Sequence, residues 1–348
     1  MKKRMDDDTE EKTIILPGPK ITKENEVSFI KYCIILSLAI GIKSWQPLAI
    51  AGSKRPDGTY SWNKTTMVIL VEFSKLVFCA IVFSFQYMST DPRKRHLLHN
   101  LSFNQSLHFL IPAVLYGASN TLVYIGMSYI NPALFHVFGN TRILTAGILY
   151  RIMMGRKQSD LQWLALLLLT AGAIMVTPLS ESTPKEGEDN FLGLIILILM
   201  CLCSTSSSIY TEINYKKTQE LSIFYQNCVL YVYGIIVNLI WLLFTDSQTV
   251  SGQGIFYGFD RSAFIVLLAQ SSMGVSLSFI FKYLDNIVYV FSLTISMFIS
   301  AVFSYFFFEF EFTLIFACAL VVVTVSTYMY YRNKVFEKYS IQDKDAFF

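Results

Sequence analysis

The sequence predicts an all-α, polytopic membrane protein of ten transmembrane helices. Three observations carry that prediction: an overly apolar chain, apolar runs long enough to cross a bilayer, and a lopsided distribution of basic residues among the connecting loops. Hydrophobic residues make up 53% of the 348 positions and the mean hydropathy is +0.47, beyond the usual range of a soluble domain. The runs lie at about 29–51, 65–88, 107–130, 132–153, 161–177, 191–212, 223–244, 262–283, 287–308 and 311–331. Each approaches or exceeds the ~20 residues that carry a helix across a ~30 Å hydrocarbon core.

An even number of spans returns both termini to one side. Most of the lysines and arginines fall on that side, among them Arg93, Lys94, Arg95, Arg156, Lys157, Lys216, Lys217, Arg332, Lys334 and Lys338. The positive-inside rule therefore places both termini in the cytosol. The first 27 residues are polar and charged and read as a disordered cytosolic tail without a cleavable leader. Residues 28–332 form the membrane domain, and 333–348 a second cytosolic tail.

Ser128–Val137 lines up with Lys282–Phe291 at a constant offset, and both stretches join one apolar run to the next through a few polar residues. The first join follows the third run and the second follows the eighth. Five spans then make a unit, about 28–178, repeated upside down over about 190–332. Inverted repeats recur in secondary transporters, where solute is held near the midplane between the halves. Convergence of two short helix hairpins on similar turn residues is the plainer alternative.

Arg142 is the residue least expected in such a chain. If its helix starts near Pro132 it lies about ten residues in, roughly 15 Å deep at ~1.5 Å per residue. A guanidinium at that depth is unfavourable by about 2.5–3.5 kcal/mol on insertion scales, so it should face a hydrated cavity or protein. Its permanent charge and forked donors suit a phosphate or carboxylate. Glu72 and Lys75, three apart, share one face of the second span. They can neutralise each other for insertion, or line the solute path with the carboxylate orienting Lys75 or Arg142; Arg142 can equally be a structural partner of Glu72. Lys43 lies nearer a span end, where it can snorkel, and is set aside.

The sixth and seventh spans carry Ser204–Ser208, Tyr210, Glu212, Gln226, Asn227, Tyr231 and Tyr233. Serine and threonine often serve only close packing between membrane helices. Asn227 and Tyr231, four apart, offer an amide and a phenol on one face, able to read and stack a base or to bond a neighbouring helix. Nothing supports an enzyme, a cofactor or a metal centre. His96, His99, His108 and His136 lack ligand spacing, no nucleophile, base and acid converge, and the six cysteines all sit in apolar runs. The net charge of +3 forms no stripe for nucleic acid. The sequons at Asn63, Asn100 and Asn104 abut a span or fall on the cytosolic side, so none is expected to be glycosylated.

Several ordered blocks resemble the nucleotide-sugar transporters of solute carrier family 35, subfamily A, in the branch of member-five-like UDP-sugar transporters. The blocks are Glu72–Cys79, Ile111–Tyr116, Asn120, Gly139–Thr145, Gln162-Trp163, Ile209–Glu212, Ser222–Asn227, Tyr231, Gly254–Gly258 and Lys282–Ile287. The resemblance implies the ten-helix drug/metabolite transporter fold and residence in the Golgi or endoplasmic reticulum. It also implies exchange of a cytosolic UDP-sugar for lumenal UMP by alternating access. It carries substrate-binding roles onto Tyr116, Asn120, Tyr210, Asn227 and Tyr231 around the nucleotide, and onto Glu72 and Lys75. Three positions depart from the family pattern: Arg142 and Tyr289 stand where lysines are usual, and Phe135 where tyrosine is usual. Phosphate binding should then rest on Arg142 and Lys75. The alternatives are a different nucleotide sugar or phosphorylated metabolite, or a non-transporting member that binds and regulates related transporters or glycosyltransferases. Homo- or hetero-oligomers with related transporters stay open.

Overall fold

A computed structural model describes residues 23–53, 60–129, 139–155, 157–176, 190–245, 252, 254, 256–307 and 313–345. These form α-helices α1 (Lys23–Gly52), α2 (Lys64–Ser89), the short α3 (Phe103–Leu107), α4 (Leu110–Tyr129), α5 (Arg142–Met154) and α6 (Asp160–Val176). Then follow α7 (Asn190–Lys217), α8 (Ile223–Thr245), α9 (Arg261–Tyr283), α10 (Asn286–Phe307) and α11 (Leu314–Asp345). A 3-10 helix, Pro92–Leu98, precedes α3.

Eight described stretches are long and apolar enough to cross a membrane: Ile30–Ile50, Thr66–Ser89, Phe103–Val123, Phe191–Lys217, Ile223–Phe244, Arg261–Tyr283, Asn286–Phe303 and Leu314–Arg332. The expected fifth span is an apolar helix of shorter reach, Asp160–Met175. Of the fourth, expected over 132–153, only the part from Gly139 is described. Residues 1–22 and 346–348 of the expected tails 1–27 and 333–348, Phe135 and most of the first hairpin of the repeat also lie outside the described residues; residues 23–27, expected as disordered tail, begin α1 instead. Past the last apolar run α11 continues as helix to Asp345. Large apolar side chains such as Phe85, Phe103, Phe191, Phe244 and Leu314 face outward. Such a surface suits lipid, and backbone groups satisfied inside helices suit it equally.

Helix starts are set by side-chain caps. Ser102 and Gln105 exchange reciprocal bonds at α3, and Ser159 and Gln162 repeat the device at α6. The Asn63 side chain accepts from the Thr66 backbone N–H, Asp260 from Ala263 and Asp285 from Val288, opening α2, α9 and α10.

In packing, α4 lies along α7 and α8, α6 along α11, and α2 along α8 and α9. α1 runs beside α9 and α10, and α5 beside α7, α6 and α10. Small residues bring backbones together, as membrane helices require: a Cβ on Gly172 of α6 would stand 2.5 Å from Val323 of α11. Nearby, the Ser326 hydroxyl donates to the Ala165 carbonyl at 2.6 Å. A core of Ile143, Tyr150, Leu166, Leu169, Phe291, Phe298, Phe316 and Tyr330 unites α5, α6, α10 and α11.

Gly258 fixes the approach to α9. Its φ of +70° lies in the left-handed region, and a Cβ there would fall 1.7 Å from the Ser61 carbonyl oxygen, a backbone atom that cannot swing away. Gly258→Ala is expected to lose about 2 kcal/mol or more, read as a lower melting temperature of the detergent-solubilised protein. Gly252→Ala, where a Cβ meets open space, should melt like wild type.

Candidate functional site

Charge inside the bundle is handled in two ways, paired and unpaired. Two ion pairs occur among the described residues, Lys75 with Glu72 and Lys216 with Glu212. The i, i+3 spacing on α2 brings the Lys75 Nζ to 2.6 Å from the Glu72 Oε1, with both residues buried. Two glycines make the room. A Cβ on Gly274 of α9 would stand 2.7 Å from the Lys75 side chain, and one on Gly234 of α8 would stand 3.0 Å from the Glu72 Oε2. The Lys75 ammonium lies 4.4 Å from the centroid of the Tyr231 ring on α8, a cation–π contact. Glu72 is thus bound to Lys75 and is not the partner of Arg142, which corrects one reading of the sequence.

Glu212 is fully enclosed. It accepts from the Tyr150 hydroxyl at 3.2 Å, from the Lys216 Nζ at 2.5 Å and from the Asn286 backbone N–H at 2.7 Å. One carboxylate therefore ties the end of α7 to α5 and to the first turn of α10. The buried Lys282 Nζ donates to the Leu221 carbonyl at 2.5 Å and to the Gln226 Oε1 at 2.9 Å.

Arg142 is treated differently. No carboxylate pairs with it among the described residues, and its buried Nε has no hydrogen-bond partner. An unmade bond to a buried donor leaves about 1–3 kcal/mol of desolvation uncompensated, so the site is held ready for an acceptor. The Cys201 thiol of α7 lies beside Arg142, and Tyr116 of α4, Tyr289 of α10 and Lys43 of α1 are its electrostatic neighbours. Tyr116 lies within the body of the protein yet is 48% exposed. Lys43, Asn120, Arg142 and Tyr289 are partly exposed too. Exposure of this degree means open space beside these side chains. Tyr289 is braced from the other side by the Phe281 ring, edge-on at 5.4 Å between centroids.

The predicted residues fall into groups. Tyr116, Arg142 and Tyr289 converge, with Asn120 one turn beyond Tyr116 on α4. Glu72, Lys75 and Tyr231 form the paired group, which meets the first through the electrostatic contact of Glu72 with Tyr116. Asn227 is spent on structure: its Oδ1 accepts from the Tyr215 hydroxyl at 2.5 Å, while Tyr215 and Tyr231 both reach the Ser278 hydroxyl, at 3.4 and 3.3 Å. These bonds join α7, α8 and α9. The Asn227 Nδ2 reaches no oxygen or nitrogen acceptor and lies beside the Cys79 thiol. Tyr210 stands apart, its hydroxyl 3.1 Å from the His108 Nδ1. Lys43, set aside in the sequence as able to snorkel, is an electrostatic neighbour of Arg142 and hydrogen-bonds to the Gln46 Oε1.

Lys75→Met should leave a buried carboxylate without its counter-charge and destabilise by about 3–5 kcal/mol. The double variant Glu72→Gln/Lys75→Met should recover most of that loss. A double-mutant cycle of melting temperatures checks this coupling.

Comparison with known proteins agrees with a solute site. The profile described as nucleotide-sugar transporter matches residues 26–331. CMP-sialic acid transporter 2 of Oryza sativa subsp. indica is 32% identical over 309 residues, covering 89% of this chain and 86% of that protein. The probable UDP-sugar transporter protein SLC35A4 of Xenopus tropicalis is 30% identical, covering 80% and 85%. The UDP-N-acetylglucosamine transporter of Rattus norvegicus is 27% identical, covering 84% and 94%. A solved crystal structure superposes with a TM-score of 0.60 at 10% identity, over 85% of this chain and 94% of its own, a likeness of fold alone. With a family match over most of its length and relatives of 30% identity or more, the chain belongs to the nucleotide-sugar transporter family, whose members are transporters and not enzymes.

Proposed function

We propose that the protein exchanges a UDP-linked sugar for UMP across the Golgi membrane, both termini being cytosolic, with the nucleotide phosphates received at Arg142. One observation carries this reading: a guanidinium within an apolar run, without a carboxylate partner among the described residues, with the partly exposed Tyr116 and Tyr289 as its electrostatic neighbours. An empty site of this kind is electrostatically unfavourable, so reorientation without a bound anion is disfavoured and exchange is favoured over leak. Tyr116, Asn120 and Tyr231 supply rings and an amide for the nucleoside.

Helix pairing supports two inverted halves that rock about the solute. Let α1, α2, α4, α5 and α6 correspond to α7, α8, α9, α10 and α11. The contacts of α2 with α8, α5 with α10 and α6 with α11 then map onto themselves. Those of α4 with α7, α1 with α10 and α4 with α8 map onto α9 with α1, α7 with α5 and α9 with α2, all of which occur. The bonds of Glu212 to Tyr150 and Asn286 then latch the cytosolic end and open when the transporter faces the cytosol.

A second reading, exchange of a CMP-linked sugar, is favoured by the names of relatives at 32% identity. Proteoliposomes preloaded with UMP, CMP or buffer separate the two. UMP inside should accelerate uptake of labelled UDP-N-acetylglucosamine, UDP-galactose or UDP-glucuronate; acceleration of CMP-sialic acid by CMP alone would favour the second reading, and no acceleration of any would end both. Arg142→Ala should lower exchange at least about tenfold, the scale of a charge-assisted contact, while still inserting and folding.

A further inference from the structure

We infer that Cys201 of α7 is a positioning residue for Arg142: its thiol braces the turn that sets where the guanidinium stands in the fourth apolar run. α5 does not continue smoothly from the residues before it. Gly139 is helical, Asn140 and Thr141 form a turn, and α5 opens at Arg142. At that turn the hydrogen-bond ladder changes step. The Ile143 backbone N–H bonds three residues back, to the Asn140 carbonyl at 3.1 Å, and the four-back pattern is in place by Thr145, which bonds to the Thr141 carbonyl at 3.0 Å. A three-back step turns the chain by about 120° per residue where an α-helix turns it by about 100°. Arg142 therefore leaves the backbone in a direction that an unbroken helix would not give it.

A break inside an apolar run frees backbone groups that lipid cannot satisfy, and side chains have to take them up. Cys201 does so here. Its thiol, 1% exposed, donates to the Gly139 carbonyl at 3.9 Å and accepts from the Thr141 hydroxyl at 4.0 Å, so one sulfur spans the turn. The Asn140 Nδ2 ties the same turn to α6, donating to the Ala173 carbonyl at 3.3 Å. α7 is itself fixed at this level. The Ser119 hydroxyl of α4 donates to the carbonyl of Met200 at 3.4 Å, and Leu197, Met200 and Cys201 pack with Leu122 and Val123 of α4. Adjacent residues of α7 thus hold α4 next to Asn120 and α5 next to Arg142, and the arginine charge acts on the Cys201 thiol in keeping with that placement. Cysteine packs as a small apolar side chain while its sulfur still serves as a weak donor and acceptor. A guanidinium that no carboxylate orients depends on its backbone for aim, and aim is what a bidentate phosphate contact requires.

The inference rests on the reading of Arg142 as a phosphate receptor, and purified full-length protein tests it by equilibrium binding of uridine, UMP and UDP. Cys201→Ala removes donor and acceptor together. It should bind UMP and UDP about fivefold more weakly, the scale of a neutral hydrogen bond, and leave uridine within about twofold, because only the phosphates meet the guanidinium. Cys201→Ser, which keeps donor and acceptor, should bind UMP and UDP within about twofold of wild type. A purely structural cysteine would weaken uridine and UMP alike. That result, or unchanged UMP and UDP affinity in Cys201→Ala, overturns the assignment. Should the gap left by alanine prevent folding, Cys201→Val fills it without a donor and is read the same way. If wild type binds neither UMP nor UDP, the UDP reading fails separately and CMP against cytidine becomes the probe. A loss confined to CMP in Cys201→Ala then upholds Cys201, and its absence refutes it. If CMP does not bind either, Arg142 is not a nucleotide receptor and the inference falls with it.

Discussion

A fixed positive charge in the interior of a membrane domain must be answered by something, and here no side chain among the described residues answers it. Burying an ion is unfavourable by several kcal/mol unless a counter-charge is close. The three buried carboxylates among the described residues are engaged elsewhere, Asp285 with the Val288 backbone N–H at the start of α10. Glu72 is held by Lys75, and Glu212 by Lys216, Tyr150 and the start of α10. Among the described residues Arg142, Lys43 and the buried Lys282 are then left without a carboxylate partner, and of these Lys282 is bonded to neutral oxygens of Leu221 and Gln226. Neutralised charge holds helices together, and the unneutralised charge at Arg142 is the one the proposed function assigns to a solute.

That separation follows the packing. The paired group sits where α2, α8 and α9 close on one another through Gly234 and Gly274, and the Tyr215–Asn227–Ser278 bonds extend it to α7. Arg142 lies on α5, which packs on α10, and its partly exposed electrostatic neighbours come from α1, α4 and α10. Under the proposed inverted relation, α1, α4 and α5 belong to one half and α10 to the other. An anion at Arg142 with its nucleoside against Tyr289 or Tyr231 would touch both halves and couple its own passage to their movement. The family resemblance leads one to expect a lysine at 289; the tyrosine there removes a charge.

Much of this was legible in the sequence because charge within an apolar run cannot hide. Arg142 stood out by depth alone, and the spacing of Glu72 and Lys75 gave their shared face. Helix number was legible as far as length and hydropathy reach: eight described helices are long enough, while the shorter α6 and the incompletely described fourth span are not measured by that rule. What could not be read were contacts made across helices. Counting residues sets the depth of Lys43 but not whether it turns outward to an interface or inward to Arg142. Asn227 and Tyr231 do share a face, as their spacing requires, yet the Asn227 oxygen is taken by Tyr215 from beyond the α7–α8 turn. No periodicity announces that bond. Gly258 was visible only as part of a block; the Ser61 carbonyl that forbids a side chain there is almost two hundred positions away in sequence.

The most direct test is a structure of the full-length protein with bound UDP or UMP, at a resolution that places the phosphates. The account predicts phosphate oxygens about 2.7–2.9 Å from the Arg142 guanidinium nitrogens, with Glu72 still on Lys75. A nucleotide seated elsewhere, with Arg142 turned onto a carboxylate of the protein, would contradict it.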